Sequence, residues 1–217
     1  MPGAPARSRP PGGGQRRPQQ ARSRRTRRRL VEAAANTFEE KGYDETTTAE
    51  IARRAGVAVG TVYSYFPDKR AILLEIVNDT VAQVAELILE RLDPDLWSTD
   101  DLRGSIRELI HTIFTTRRLR PGLQRIVWER YFKDAEVRES LEAIETRLMT
   151  AVKNLLLHLD SIDAGRVRDP DAAAYVIHTS VEWTASRLIL GGASEARVEA
   201  AVETTTDMIA GLILRPA

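Results

Sequence analysis

From about residue 24 to its end, the chain spaces its apolar side chains at helical intervals, and no stretch alternates with the two-residue period of a half-buried strand. Val31, Ala34, Ala35 and Phe38 fall at i, i+3, i+4 and i+7. They predict a first helix over 24–41, with Gly42 in the left-handed position that follows a helix end. A second helix starts in Thr46-Thr47-Thr48. Thr47 followed three residues later by Glu50 matches a capping box, Ile51, Ala52 and Ala55 face inward, and Gly56 ends the element. A short third helix covers 58–66. A fourth, capped by Asp68, runs to about 92 with Ile72, Ile76, Val84, Leu87 and Ile88 as its stripe, until Asp-Pro-Asp at 93–95 interrupts it. Further helices are expected over 99–117, 121–132, 135–159, 170–190 and 195–214. The longest carries Leu141, Ile144, Leu148, Val152, Leu155 and Leu159, and the next opens on Asp169-Pro170 and stops at Gly191-Gly192. There is no internal repeat, and the pattern as a whole predicts an all-α fold.

Charge changes this picture at one end. Residues 1–30 hold ten arginines and no acid, whereas the remainder carries 22 basic against 31 acidic side chains, a net of −9. A basic arm on an acidic body follows, and the body cannot attract nucleic acid through its net charge. Residues 1–22 are rich in Pro, Gly, Gln and Arg with almost nothing to bury, which predicts a disordered basic tail. Three alanines are the only apolar side chains in 2–29, too few for the amphipathic helix of a transit peptide. There is no apolar run of the roughly 18 residues that span a bilayer, and no secretory apolar region. Cysteine is absent, which excludes disulfides, thiolate metal sites and Cys nucleophiles and suits a reducing cytoplasm.

The most specific stretch is residues 47–66, TTAEIARRAGVAVGTVYSYF. Two short helices joined by a tight turn form the helix-turn-helix, whose second helix enters the DNA major groove. Ala52 is small where the helices cross, Gly56 permits the turn, and Ile51, Val57, Val62 and Phe66 set the crossing angle. Val59, Gly60, Thr61, Tyr63 and Ser64 are left as the exposed reading face.

The wider run AAANTFEEKGYDETTTAEIARRAGVAVGTVYSYFPDKRAIL resembles the N-terminal domain of the tetracycline-repressor (TetR/AcrR) family. Phe38, Gly42-Tyr43, Thr47, Ile51-Ala52, Ala55-Gly56-Val57, Gly60-Thr61, Tyr63, Tyr65-Phe66 and Lys69 are all in place. The resemblance implies a DNA-binding domain over 23–70 and a ligand-binding and dimerisation domain over 71–217. Together these would make a homodimeric repressor on a palindromic double-stranded operator, released by a small-molecule effector; an activator would read DNA with the same motif. It further implies phosphate contacts from Thr47, Thr48, Tyr63, Tyr65 and Lys69. Thr61 and Ser64 are the candidate base readers, with Val59 and Gly60 allowing close approach. Tyr65 is equally readable as a core aromatic. Arg24 and Arg27, in the cluster beside the motif, are further candidate DNA contacts, and the tail is either a groove-tracking arm or a passive solubilising extension.

The C-terminal half holds Trp97, Trp128, Trp183, Phe114, Tyr131, Phe132, Tyr175 and all three histidines, which suits either an apolar ligand pocket or an ordinary helical core. Candidate lining residues are His111, Phe114, Arg125, Trp128, Tyr131, His178 and Trp183. Arg125 could meet an anionic ligand, or snorkel, or pair with an acid. The helices over 170–190 and 195–214 are the expected dimer seam. Ala172–Ala174, Ala185, Ser186 and Gly191-Gly192 would permit close approach there, and Val198, Val202, Ile209 and Leu212 would supply apolar contact. Glu108 and His111 have the spacing of a di-iron bundle ligand pair, but no second pair exists, and no phosphate loop or catalytic motif is present. Neither an enzyme, a cofactor nor a metal is expected. A DNA-compacting architectural protein would account for the tail but not for the long acidic body.

Overall fold

The computed structural model describes residues 16–97, 100–116 and 121–215. Within them nine α-helices run in the order α1 (Arg16–Lys41), α2 (Thr48–Ala55), α3 (Val59–Tyr65), α4 (Lys69–Arg91), α5 (Leu102–Thr116), α6 (Pro121–Lys133), α7 (Ala135–Ser161), α8 (Pro170–Leu190) and α9 (Glu195–Ile213). One 3-10 turn at Pro94–Leu96 replaces the interruption expected at 93–95. None of the described helices is long and apolar enough to cross a membrane.

Helix ends lie where the local chemistry puts them. Thr47 and Glu50 form both halves of the capping box, and Gly56 takes the left-handed conformation (φ 63°) that closes α2. Asp68 accepts from the Ala71 amide to start α4, Asp169 accepts from Ala172 to start α8, and Ser194 caps α9. Residues 1–15 of the expected disordered tail lie outside the described residues. Its remainder, 16–22, is helical instead and opens α1. Arg, Gln and Ala are good helix formers, and Pro18 falls in the first turn, where its missing N–H has no intrahelical role.

Two apolar cores divide the chain. The first joins Leu30, Ala34, Phe38, Ile51, Val62, Phe66, Ile72 and Ile76 with Leu123 and Ile126; the second begins at Ala85 and Ile88 and draws on α5 and α7–α9. The division therefore falls inside α4, not at residue 70. The N-terminal half of that helix packs under α1–α3 and its C-terminal half in the second core. α6 likewise belongs to both bodies, since its Leu123 and Ile126 close the N-terminal core from outside the first 80 residues.

Candidate nucleic-acid interface and buried cavity

The surface around α2 and α3 is built by side chains that fix one another. The Thr47 hydroxyl accepts from the Glu50 amide (3.3 Å) and donates to the Glu50 carboxylate (3.1 Å), while the Thr47 amide donates back to that carboxylate (3.0 Å). Lys41 also bonds Glu50. With the Thr47 amide, this holds the carboxyl down to about 2, so the box stays charged and closed at any ordinary pH. The Thr47 hydroxyl is thereby engaged within the cap. The Thr48 and Ala49 amides, first in the helix, have no intrahelical acceptor and sit at its positive end. One turn across, the Thr48 hydroxyl shares a hydrogen bond with the Tyr63 hydroxyl (3.1 Å), which ties the start of α2 to the exposed face of α3.

On α3 itself, Val62 is fully buried, whereas Val59 and Tyr63 are exposed. Gly60 is exposed too, and a Cβ built on it would meet nothing within 4 Å, so the fold does not require glycine there. Ser64 is exposed and donates to the Thr61 carbonyl (2.7 Å), while Thr61 is half-buried. Tyr65 is half-buried and packs on the N-terminal core, which supports its reading as a core aromatic.

Two of the expected cationic contacts already have partners within the protein. Lys69 donates to the carbonyls of Tyr43, Asp44 and Thr46 at 2.9, 3.0 and 2.9 Å, and its ammonium lies 4.7 Å from the Tyr43 ring centroid. An ammonium has three donors, so a phosphate would have to displace one of these bonds. Arg27 pairs with Glu75 (Nε to Oε1 2.6 Å), reaches the Tyr65 carbonyl and lies 4.4 Å over the Phe66 ring. Sequence reasoning gave neither a partner within the fold, because their acceptors, main-chain carbonyls and a distant acid, have no signature in the primary structure; Arg27 itself stays exposed. Arg29 bonds the Ala55 carbonyl at the end of α2. Arg24 remains exposed, as do Arg22, Arg25 and Arg28. Arg22 and Arg25, with Thr26 and Arg29, form a groove against Gly56, Ala58 and Thr61 at the start of α3.

A cavity of about 410 Å³ opens between α4, α6, α7 and α8. Ile76, Val77, Val81, Ile88, Leu141, Ile144 and Leu148 form its apolar walls. Gln124, Trp128, Tyr131, Glu145, His178 and Glu182 supply the polar and aromatic groups. A narrower space of about 70 Å³ continues inward from it, sharing Ile88, Leu148, His178 and Glu182. The structure thus brings Trp128, Tyr131 and His178 together and leaves out the other expected lining residues. His111 is exposed because α5 turns Ile106, Leu109, Ile110 and Ile113 inward, and Phe114 is buried in the second core without reaching the space. Arg125 points to solvent, out of phase with Leu123 and Ile126. Trp183 is 56% exposed and meets Trp128 edge-on at 5.7 Å, outside the cavity. The α4 wall, Glu145 and Glu182 were missed; they lie on stripes that read as ordinary core and surface until α6 and α7 are placed.

The expected seam also changes. Val198, Val202 and Ile209 are buried within the chain, because α9 lies along α5, clamped by Arg103 and Arg107 on Glu199, Glu203 and Asp207. Ala174, Ala185 and Ser186 are buried as well. The free apolar face of these last helices consists of Tyr175, Val176, Trp183 and Leu190 on α8 and Met208 and Leu212 on α9.

Residues 30–76 match the family model for bacterial regulatory proteins of the tetR family. The fatty acid metabolism regulator protein of Bacillus subtilis is 35% identical over 66 residues, 30% of this chain and 32% of that protein. The HTH-type transcriptional regulator BetI of Cronobacter sakazakii is 38% identical over 64 residues, again 30% of this chain and 32% of that one. The chain thus matches about a third of the length of these curated relatives. Among solved structures, a TetR-family transcriptional regulator from Mesorhizobium loti superposes with a TM-score of 0.76 at 22% identity, covering 89% of this chain and 99% of the other. A transcriptional regulator from Saccharomonospora viridis, in complex with choline, gives 0.72 at 20% identity over 89% and 100% of the two chains. The sequence match thus marks residues 30–76 as similar to the domain shared by bacterial regulatory proteins of the tetR family, and the likeness to these solved structures extends the shared fold over nearly the whole chain.

Proposed function

We propose that the chain is a homodimeric repressor that covers a palindromic operator and leaves it when a small molecule occupies the cavity between α4, α6, α7 and α8. One observation carries the proposal: the helices that wall the cavity are the same helices that hold the reading head. α4 lines the cavity with Ile76–Ile88 and supports α1–α3 with Ile72–Val77. α6 lines it with Gln124, Val127, Trp128 and Tyr131, while the Glu39 carboxylate of α1 accepts from its Gly122 and Leu123 amides (2.8 and 2.7 Å) and its Arg130 bonds Asp44 (2.6 Å). A ligand that shifts either wall must move the head or strain these links. The choline complex of a similarly folded regulator supports a small-molecule occupant of this fold.

In this reading α3 lies in the major groove, with Val59, Gly60, Thr61 and Ser64 toward the bases. The amides of Thr48 and Ala49, the Thr48–Tyr63 hydroxyl pair and Arg22, Arg24, Arg25 and Arg28 contact phosphates. The exposed apolar faces of α8 and α9 pair two chains in a four-helix seam. Selection from random duplex DNA by the full-length protein tests the operator. It should enrich a palindrome with half-sites about one helical turn, roughly 34–36 Å, apart; uniform coating with no enriched sequence would overturn it in favour of an architectural role. A compound that raises the melting temperature by binding the cavity must also weaken that operator complex, since a ligand shifts only an equilibrium whose two states it binds unequally. Unchanged operator affinity at saturation refutes the switch.

A further inference from the structure

The exposed arc of α3 holds no forked polar side chain. Residues 58–66 include no Asn, Gln, Arg or Lys, the side chains that bond the edges of adenine and guanine through two atoms at once. The arc presents instead Val59 and Tyr63, one turn apart in one row, and Gly60 and Ser64 in the next. The hydroxyls beside these rows are already engaged. Ser64 donates to the Thr61 carbonyl (2.7 Å), and the Tyr63 and Thr48 hydroxyls share one bond (3.1 Å). Val59 is 40% exposed and takes no part in the N-terminal core. Beside it, Gly60 has no neighbour that demands a glycine, although glycine inside a helix is unfavourable. The fold gives neither residue a packing role.

Resting on the operator reading above, we propose that α3 reads its half-site through the C5-methyl group of thymine, and that Val59 is the residue that sets this preference. Thymine alone among the four bases places a methyl in the major groove. A methyl demands no hydrogen bond, so an apolar side chain matches it and sheds water on contact. Contact requires carbon atoms within about 4.0–4.5 Å. Valine is short, so the helix must come close to the base edges, and Gly60 clears that approach. Cytosine or adenine in the same place would set an amino donor against the valine, desolvated and without an acceptor. Guanine would offer two acceptors to a fork that α3 does not carry.

Uracil lacks only that methyl and keeps the same pairing, which makes it the probe. The operator is first enriched from random duplex DNA by the full-length protein. Each thymine of the half-site is then replaced by uracil, symmetrically in both halves, and affinity is measured by fluorescence anisotropy. One position should stand out with a loss of about tenfold, the affinity equivalent of two methyl groups each comparable to a buried methylene. Val59→Ala removes the γ-methyls of an exposed residue, and thermal melts check that the variant is folded. It should bind the thymine operator more weakly than the wild type does, and the thymine and uracil operators with equal affinity. The proposal is overturned if the half-site contains no thymine, if no uracil lowers the affinity, or if the thymine preference survives Val59→Ala. It is overturned also if binding depends on guanine N7 alone, tested with 7-deazaguanine; base reading would then pass to Arg22 and Arg25 of α1, which border Thr61. Each of these results leaves the operator reading standing. Failure to enrich any sequence would remove that reading and this one with it.

Discussion

Lys69 distinguishes a fold-holding cation from a DNA-holding one, and Lys69→Met tests which it is. Methionine keeps the stem of the side chain and deletes only the ammonium. Three carbonyls then lose the ammonium, and that of Tyr43 keeps only the longer bond from the Thr46 amide (3.3 Å). That of Asp44 is exposed and regains a water at little cost, whereas those of Tyr43 and Thr46 are half-buried. Each of the latter two should cost about 1 kcal/mol, the usual net value of a hydrogen bond that is partly recovered by solvent. Loss of the ammonium from beside the Tyr43 ring adds about 0.5–1 kcal/mol. The total is about 2–3 kcal/mol, concentrated in the turn between α1 and α2 that positions the reading head.

For a chain of this length, that corresponds to a melting temperature lower by roughly 4–12 °C. Operator binding measured against salt supplies the second reading. A phosphate contact contributes about 0.9 to the slope of log affinity on log salt, so a lysine spent on carbonyls should leave the slope of the folded variant unchanged. The reasoning fails if Lys69→Met melts like the wild type while the slope falls by about one unit. That result would mean the ammonium exchanges its carbonyls for phosphate on DNA.

Gly60→Ala should separate stability from function, since its methyl meets no protein atom: the melting point should hold or rise, by up to about 1 kcal/mol of helix propensity, while operator affinity drops at least several-fold. Equal affinity would show that α3 does not approach DNA closely at this position. Arg22→Ala with Arg25→Ala should lower the salt slope by about 0.9 for each phosphate lost, and an unchanged slope would make the arm a passive extension. Trp183→Glu with Met208→Glu, on the exposed faces of α8 and α9, should convert the dimer to a monomer in sedimentation without altering helicity; a persistent dimer would place the seam elsewhere. Asp134 caps α7 and receives Arg70 (2.6 Å to each oxygen), and chiefly this pairing lowers its carboxyl from 3.8 to about 2. A depressed folded value contributes stability that is complete above the ordinary value and is lost as pH falls toward the lower one. The gap in urea stability between wild type and Asp134→Asn should therefore be flat at pH 5–7 and narrow between about pH 4 and 2. A gap independent of pH would refute the pairing.

The helices and their ends were legible because local chemistry sets them. The Thr47–Glu50 box, Gly56, Asp68 and Asp169 act within a few residues of themselves, and their geometry depends little on what packs above. The exposed face of α3 was legible for the same reason, Val62 being its inward residue and Val59, Gly60, Tyr63 and Ser64 facing out, with Thr61 and Tyr65 half-buried between them. The partners of long side chains were not. Lys69 and Arg27 resemble surface cations in any local window, and the carbonyls and the acid that engage them are set by the turn before α2 and by α4. The cavity was read only in part. Trp128, Tyr131 and His178 stood out by residue type, but phase alone could not show that His111 and Arg125 face solvent. Of the apolar residues expected at an α8–α9 seam, Leu212 is exposed, whereas Val198, Val202 and Ile209 are buried within the chain, because such residues serve a fold and a dimer equally well until α5 claims them.

The way the two bodies are joined also limits how large the switch needs to be. A hundredfold loss of operator affinity requires only about 2.7 kcal/mol of coupling between the cavity and the head. The links that α6 makes to the head are of that order: two amides at its start capped by Glu39, and one guanidinium at its end on Asp44 and over the Tyr43 ring at 4.3 Å. Each is polar and partly solvated, so each can be given up at modest cost. The apolar contacts of Leu123 and Ile126 in the N-terminal core are far more expensive to break. A ligand pressing on Trp128 and Tyr131 therefore meets a helix whose middle is anchored by apolar packing and whose ends are held by exchangeable bonds. In the proposed switch, the response expected from these links is a small rotation of α6 about Leu123 and Ile126 that loosens Glu39 and Asp44. Both of those residues belong to the segment, 39–46, whose carbonyls Lys69 holds while α6 holds its carboxylates, so the turn before α2 is where the links from α4 and α6 meet.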